Sequence, residues 1–107
     1  MPTLVQKYGG TSVDGPERIR AVARRVAAAS AAGHDLVVVV SAMGQSTDDL
    51  LRLALQVSQQ PSRRELDMLL TAGERVSMSL LAMALHDLGV ASISFTGSQS
   101  GILTDGV

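Results

Sequence analysis

Leu36-Val37-Val38-Val39-Val40 is an unbroken apolar run dominated by β-branched residues, and it restricts the fold of this chain more than any other feature. A strand with one wet face alternates apolar and polar side chains, whereas a continuous run suits a strand covered on both faces, so a central parallel strand is expected. Parallel neighbours need a crossover, and the preceding residues supply one. Across residues 16–32, Ile19, Val22, Ala23, Val26 and Ala27 follow the i, i+3, i+4, i+7, i+8 spacing of one apolar helix stripe. Arg18, Arg20, Arg24 and Arg25 fall mostly elsewhere on the wheel, as a solvated side would. Asp14 or Gly15 is placed to cap this helix, Pro16 to occupy its first position and Gly33 to end it. With Thr3 to Gln6 as the first strand, these pieces form a βαβ unit with a right-handed crossover. Ligands in such sheets gather beyond the C-terminal ends of the strands.

The second half reads as two further helices and a strand. After residues 41–47, a helical pattern carries Leu50, Leu51, Ala54, Leu55 and Val57 and stops at Gln59-Gln60-Pro61. Ser62-Arg63-Arg64-Glu65 has the Ser-x-x-Glu spacing of a capping box. The helix it opens is expected to continue through Leu66, Leu69, Leu70, Gly73, Ser77, Leu80, Leu81, Ala84 and Leu88 and to close at Gly89. Gly73 in mid-helix costs about 1 kcal/mol against alanine, which calls for tight packing or backbone access in compensation. Met68, Met78 and Met83 read as gap-filling core side chains. Residues 91–95 are expected to form a third strand, followed by the polar, glycine-punctuated loop 96–101. The three strand ends then share one edge, the class being α/β with a βαβ start and three helices.

Composition narrows the functions available. A chain of 107 residues that is 46% hydrophobic can bury one modest core, so residues 1–107 are read as a single unit. A formal charge of -1 does not provide the basic surface that nucleic acid requires. No wholly apolar stretch approaches the roughly 18 residues of a membrane span, and the first residues do not have the layout of a signal peptide, so a cytoplasmic location is expected. The absence of cysteine removes disulfides, thiolate nucleophiles and Cys-based zinc sites together. His34 and His86 are not spaced as a helical metal pair; His34 belongs in a turn after Gly33 and His86 near a helix C-terminus. No metal site is expected.

Chemistry concentrates at Lys7-Tyr8-Gly9-Gly10-Thr11-Ser12. Glycines without Cβ let backbone N–H groups approach an anion, the hydroxyls of Thr11 and Ser12 add donors, and Lys7 supplies a compact positive charge. A Gly-Gly pair after a strand serves equally as a plain turn. Two better-known phosphate loops do not fit. Gly10 to Gly15 has Walker A glycine spacing, but Pro16 and Glu17 stand where its lysine and hydroxyl residue belong. Adjacent glycines at 9 and 10 also miss the Gly-x-Gly-x-x-Gly dinucleotide fingerprint. The strand-end loops nonetheless gather Lys7, glycine amides and the hydroxyls of Thr11, Ser12, Ser41, Ser46 and Thr47, a donor-rich setting for anionic groups.

Taken together, Lys7-Tyr8-Gly9-Gly10-Thr11-Ser12-Val13, Ser41-Ala42-Met43-Gly44 with Thr47-Asp48, Leu70-Thr71-Ala72-Gly73-Glu74-Arg75 and Ser94-Phe95-Thr96-Gly97-Ser98-Gln99 closely resemble the aspartate kinases of the amino acid kinase family. The resemblance covers essentially the whole chain. It implies the N-terminal part of a parallel-sheet α/β/α sandwich. It further implies transfer of the ATP γ-phosphoryl to the side-chain carboxylate of L-aspartate, the first step toward lysine, threonine and methionine, with Mg²⁺ entering as the ATP complex. Carried over by position, Lys7 is the catalytic cation, and Lys7, Tyr8, Gly9, Gly10, Thr11 and Ser12 form the ATP phosphate segment. Ser41 and Thr47 contact aspartate, and Glu74 faces its α-ammonium group. On periodicity alone Glu74, beside Arg75, is a solvated helix residue, and Asp48 and Asp49 are first-turn acids that complement a helix dipole.

The family's chains are much longer than 107 residues. This chain is therefore expected to be an N-terminal portion, inactive alone, that associates with a C-terminal portion or with further copies. A non-catalytic anion-binding half-domain and an amino acid kinase with another acceptor are the alternatives.

Overall fold

Strands β1 (Thr3–Tyr8) and β2 (Asp35–Val40) pair in parallel, from Thr3 opposite Asp35 to Tyr8 opposite Val40. The computed structural model describes residues 3–95. Between the strands lie a 3-10 turn (Gly10–Val13) and helix α1 (Pro16–Ala31), so the βαβ start is formed as expected. Gly15, at φ +109°, is the N-cap, with Pro16 next to it, and Gly33 at φ +96° turns the chain into β2. Helices α2 (Gly44–Val57) and α3 (Arg63–Asp87) follow as an antiparallel pair. Ser62 caps α3 by accepting the Glu65 amide at 3.2 Å, and Gly89 at φ +80° follows its end.

The core lies on one face of the sheet. Side chains alternate along a strand, and Tyr8, Leu36, Val38 and Val40 point toward a buried cluster of Val13, Ile19, Val22, Ala23, Val26, Leu81 and Leu85. The predicted α1 stripe is therefore the one that is buried, with Ala27 half-buried at its border, and the four arginines of α1 are exposed. On α3 the buried residues are Gly73, Ser77, Leu81 and Leu85, a row at i, i+4 spacing. The broader stripe read from sequence omitted Leu85 and included Leu80 and Leu88, which are 38% and 48% exposed.

Several expectations are corrected. β1 runs two residues beyond Gln6, so Lys7 and Tyr8 belong to the ladder. β2 is not covered on both faces: Val37 and Val39 are 51% and 47% exposed, and Val5 beside them 63%. Helices α1 and α3 share one side of the parallel sheet, so the α/β class with its βαβ start and three helices is formed as expected. Residues 91–95 form no third strand, and Ser92 bonds back onto α3. His86 Nε2 lies 2.8 Å from the Ser92 carbonyl oxygen, and Ser92 Oγ donates to the Ala82 carbonyl at 3.5 Å. The loop at 96–101 lies outside the described residues.

α2 begins at Gly44, so Asp48 and Asp49 lie beyond its first turn, where Asp49 accepts from Gln45 and Arg52. Met68 and Met83 are surface residues, 63% and 59% exposed, rather than core filling. By length and composition α3 could cross a membrane. Its buried row against α1 and the Glu74-Arg75 pair at mid-length assign it to a packed layer instead.

Apolar area left open in this way drives association. The isolated 107-residue polypeptide is expected to self-associate in sedimentation velocity, and Val37→Thr/Val39→Thr to shift it toward monomer. A stable, folded monomer of the unaltered chain contradicts this.

Candidate functional site

Two strand exits are locked side by side. The Ser41 amide donates to the Tyr8 carbonyl at 3.1 Å, which extends the ladder one step past β2. From there one exit enters the 3-10 turn and the other helix α2.

The first exit is the 3-10 turn. Gly9 caps it in an extended conformation, its carbonyl accepts the Ser12 amide at 3.0 Å, and Val13, fully buried, fastens the turn to the core. Arg18, which periodicity reads as merely solvated, reaches back from α1, and its Nη1 donates to the Thr11 carbonyl at 3.1 Å. A Cβ built on Gly10 would stand 3.0 Å from the Ala42 carbonyl oxygen and 3.4 Å from the Gly44 nitrogen. Glycine here allows a close approach of backbones, at an ordinary negative φ.

The second exit, Ser41-Ala42-Met43, leads straight into α2. Met43 is the N-cap and no side chain caps the helix, so the Gly44, Gln45 and Ser46 amides lack intrahelical partners. The first helical bond runs from the Thr47 amide to the Met43 carbonyl at 3.1 Å, and Thr47 Oγ1 also donates to that oxygen at 3.4 Å. Uncapped amides at a helix N-terminus favour an anion. The sequence did not reveal this helix start, because residues 44–49 are all polar or glycine and show no apolar period.

The third element passes the same edge. Gly73 of α3 is buried, and a Cβ on it would stand 2.9 Å from Ala42 Cβ and 3.8 Å from Leu50 Cδ1. Ser77 Oγ donates to the Gly73 carbonyl at 3.4 Å. Tight packing, rather than backbone access, is thus what this mid-helix glycine serves.

The predicted residues are distributed as follows. Gly10 touches the loop that begins at Ser41, and Gly73 touches it from the other side, which sets Glu74 next to the contact. Thr47 lies on the first turn and a half of α2; Lys7, Gly9, Thr11, Ser41 and Glu74 are exposed, and Tyr8, Gly10, Ser12, Ser46 and Thr47 half-buried. Tyr8 turns toward the core and donates its hydroxyl to Gln6 Oε1 at 3.3 Å, so its backbone, not its ring, faces the edge. Lys7, opposite Val39, leaves the sheet on the open face, whereas α3 packs on the other. A ligand that meets both must lie across the C-terminal edge.

Charge at the edge is available. Among the described residues the ion pairs are Arg20–Glu17 at 2.8 Å and Arg52–Asp49 at 3.1 Å, and neither Lys7 nor Glu74 takes part. The hydrogen bond from Arg20 holds the exposed Glu17 carboxyl below the usual range, a feature of the solvated side of α1. No group of three or more His, Asp or Glu side chains comes together among the described residues, so no protein cage for a metal is formed by them. The arrangement offers one cation, uncapped amides, hydroxyls and one carboxylate around a strand-end edge.

The family model for the amino acid kinase family matches residues 2–107. This chain belongs to the amino acid kinase family. It is 61% identical over 106 residues to an aspartokinase of Mycolicibacterium smegmatis, which covers 99% of this chain and 25% of that protein. It is 59% identical over 104 residues to an aspartokinase of Corynebacterium glutamicum, covering 97% and 25%, and 56% identical over 105 residues to one of Geobacillus stearothermophilus, covering 98% and 26%. The fold matches the crystal structure of aspartate kinase from Synechocystis with a TM-score of 0.86 and 55% identity, over 92% of this chain and 17% of that one. The chain thus spans about a quarter of the length of the three aspartokinases from Mycolicibacterium, Corynebacterium and Geobacillus. The amino acid kinase match includes every segment that converges on the edge.

Arg18 gives a direct check on how this family segment is held. Arg18→Ala is expected to speed amide exchange at Ser12 and Asp14 by about 3–10-fold, the loss of one exposed charge-assisted hydrogen bond. Unchanged exchange would return Arg18 to the role of a solvated side chain.

Proposed function

We propose that this segment carries the phosphate- and acceptor-binding residues of an aspartate kinase and works joined to the remainder of a longer polypeptide. The observation that carries the reading is the meeting of the Gly9-Gly10 turn, the Ser41–Met43 exit and the Gly73-Glu74 turn of α3 at one strand-end edge. The identity of 56–61% to aspartokinases of three genera supports aspartate as the acceptor.

In this mechanism a side-chain carboxylate oxygen of L-aspartate attacks the γ-phosphorus of ATP, the bond to the β-phosphate bridging oxygen breaks, and ADP leaves with that electron pair. The product is 4-phospho-L-aspartate. Phosphoryl transfer of this kind depends on alignment and charge neutralisation more than on covalent help. Lys7 neutralises charge on the transferring group, while the backbone of residues 8–10 and the hydroxyls of Thr11 and Ser12 cradle the phosphates. The amides opening α2 stand beside Gly10 and extend the same cradle. Ser41 and Thr47 hold the acceptor through hydrogen bonds, and Glu74 pairs with its α-ammonium group. Mg²⁺ would enter with ATP, carried by its phosphates.

The test is an ADP-release assay on the full-length polypeptide with a panel of amino acid acceptors. Aspartate is expected to support turnover and glutamate not. Lys7→Ala is expected to lower kcat by about 10²–10³-fold, the scale of losing one preorganised charge-stabilising group. Glu74→Gln is expected to raise the KM for aspartate while leaving that for ATP unchanged. Turnover with glutamate alone, or full activity in Lys7→Ala, contradicts the proposal.

A further inference from the structure

We infer that Ala42 and Gly73 are positioning residues whose direct contact sets the spacing between Ser41 and Glu74, and hence the fit of the acceptor amino acid. This rests on the acceptor role proposed above for Ser41 and Glu74, and adds to it two residues that touch no reacting atom.

The geometry is specific. Ser41 and Ala42 are consecutive, as are Gly73 and Glu74, so the contact joins the immediate neighbours of the two proposed acceptor groups. The approach is as close as side-chain chemistry permits. A Cβ on Gly73 would stand 2.9 Å from Ala42 Cβ, inside the distance real carbons tolerate, and Ala42 Cβ cannot swing aside as the end of a long side chain could. Any side chain at 73 therefore pushes α3 and the β2–α2 exit apart. Gly73 lies on the buried row of α3, which Leu81 and Leu85 continue against α1, so the helix cannot tilt freely to absorb that displacement.

Helix propensity points the other way. Alanine is a better helix former than glycine, so at an unconstrained mid-helix position Gly73→Ala would be stabilising. The contact with Ala42 reverses the expected sign.

A second glycine supplies the control. Gly10 also abuts Ala42, but a Cβ there would meet the Ala42 carbonyl oxygen at 3.0 Å and the Gly44 nitrogen at 3.4 Å, both backbone atoms. Removing the Ala42 methyl creates room for a methyl at 73 and none for a methyl at 10.

The experiment is a double-mutant cycle in the full-length polypeptide, reading KM for aspartate, KM for ATP and the thermal midpoint. Displacements well below 1 Å in a bound acceptor are costly, and Gly73→Ala is expected to raise the aspartate KM by about 10-fold with the ATP KM within about twofold. It is also expected to lower the thermal midpoint. Ala42→Gly/Gly73→Ala is expected to recover both readings to the level of Ala42→Gly alone, whereas Ala42→Gly/Gly10→Ala is not expected to recover those of Gly10→Ala.

An unchanged aspartate KM in Gly73→Ala overturns the inference, and so does a double variant no better than Gly73→Ala. If Gly73→Ala fails to fold, the double variant decides alone: a folded enzyme with the Ala42→Gly KM supports the contact, and a second failure to fold overturns it. Should the unaltered protein not turn over aspartate, the proposed acceptor falls and with it this acceptor role. The midpoint cycle then still decides the steric fit, so the two failures are told apart.

Discussion

One methyl group stands at the centre of this structure. Ala42, just beyond the end of β2, lies between Gly10 on the β1 side and Gly73 on α3: a Cβ at 73 would stand 2.9 Å from its methyl, closer than real carbons approach, and a Cβ at 10 would stand 3.0 Å from its carbonyl oxygen, a tight contact. Strand exits in a parallel sheet share an edge by topology alone, but topology leaves their loops free to splay. The two glycines remove that freedom, and the Ser41 amide bond to the Tyr8 carbonyl fixes the starting points of both exits. Val13 below the first turn and the Leu81–Leu85 contacts below α3 tie the same loops to the apolar core. Position at the edge is thereby transmitted from packing on the core face.

Much of this was legible in residues. The α1 stripe, its Gly15-Pro16 start and Gly33 stop, and the Ser62 cap of α3 each arise from local rules of spacing, dihedral preference and capping, so they appear in the structure as read. Gly73 was legible as an anomaly: a poor helix former in mid-helix implied a close neighbour, but only coordinates identify Ala42. What the sequence could not reveal depends on chain far from the residue concerned. The run at 36–40 carries two apolar faces, and among the described residues only one is covered, since apolar composition does not say which face finds a partner. Residues 91–95 have strand-like composition, yet Ser92 finds partners on α3 rather than on β2. The early start of α2 was invisible because polar residues carry no apolar period.

The open face and the edge chemistry are linked. Lys7 projects from the same side as Val5, Val37 and Val39, while Glu74 belongs to the layer on the other side. A proposed substrate pair that uses both therefore straddles the sheet edge, with the nucleotide phosphates over the Gly9-Gly10 turn and the acceptor between Ser41 and α3. The chain spans about a quarter of the length of the aspartokinases it matches, and the face carrying Val5, Val37 and Val39 is open among the described residues.

The most direct measurement is a crystal structure of the full-length polypeptide with a non-hydrolysable ATP analogue, Mg²⁺ and L-aspartate. The account predicts the terminal phosphate within hydrogen-bonding reach of Lys7 Nζ and the Gly10 amide, and the aspartate ammonium group against the Glu74 carboxylate. Phosphates bound away from the Gly9-Gly10 turn, or an acceptor that leaves Glu74 in solvent, would contradict it.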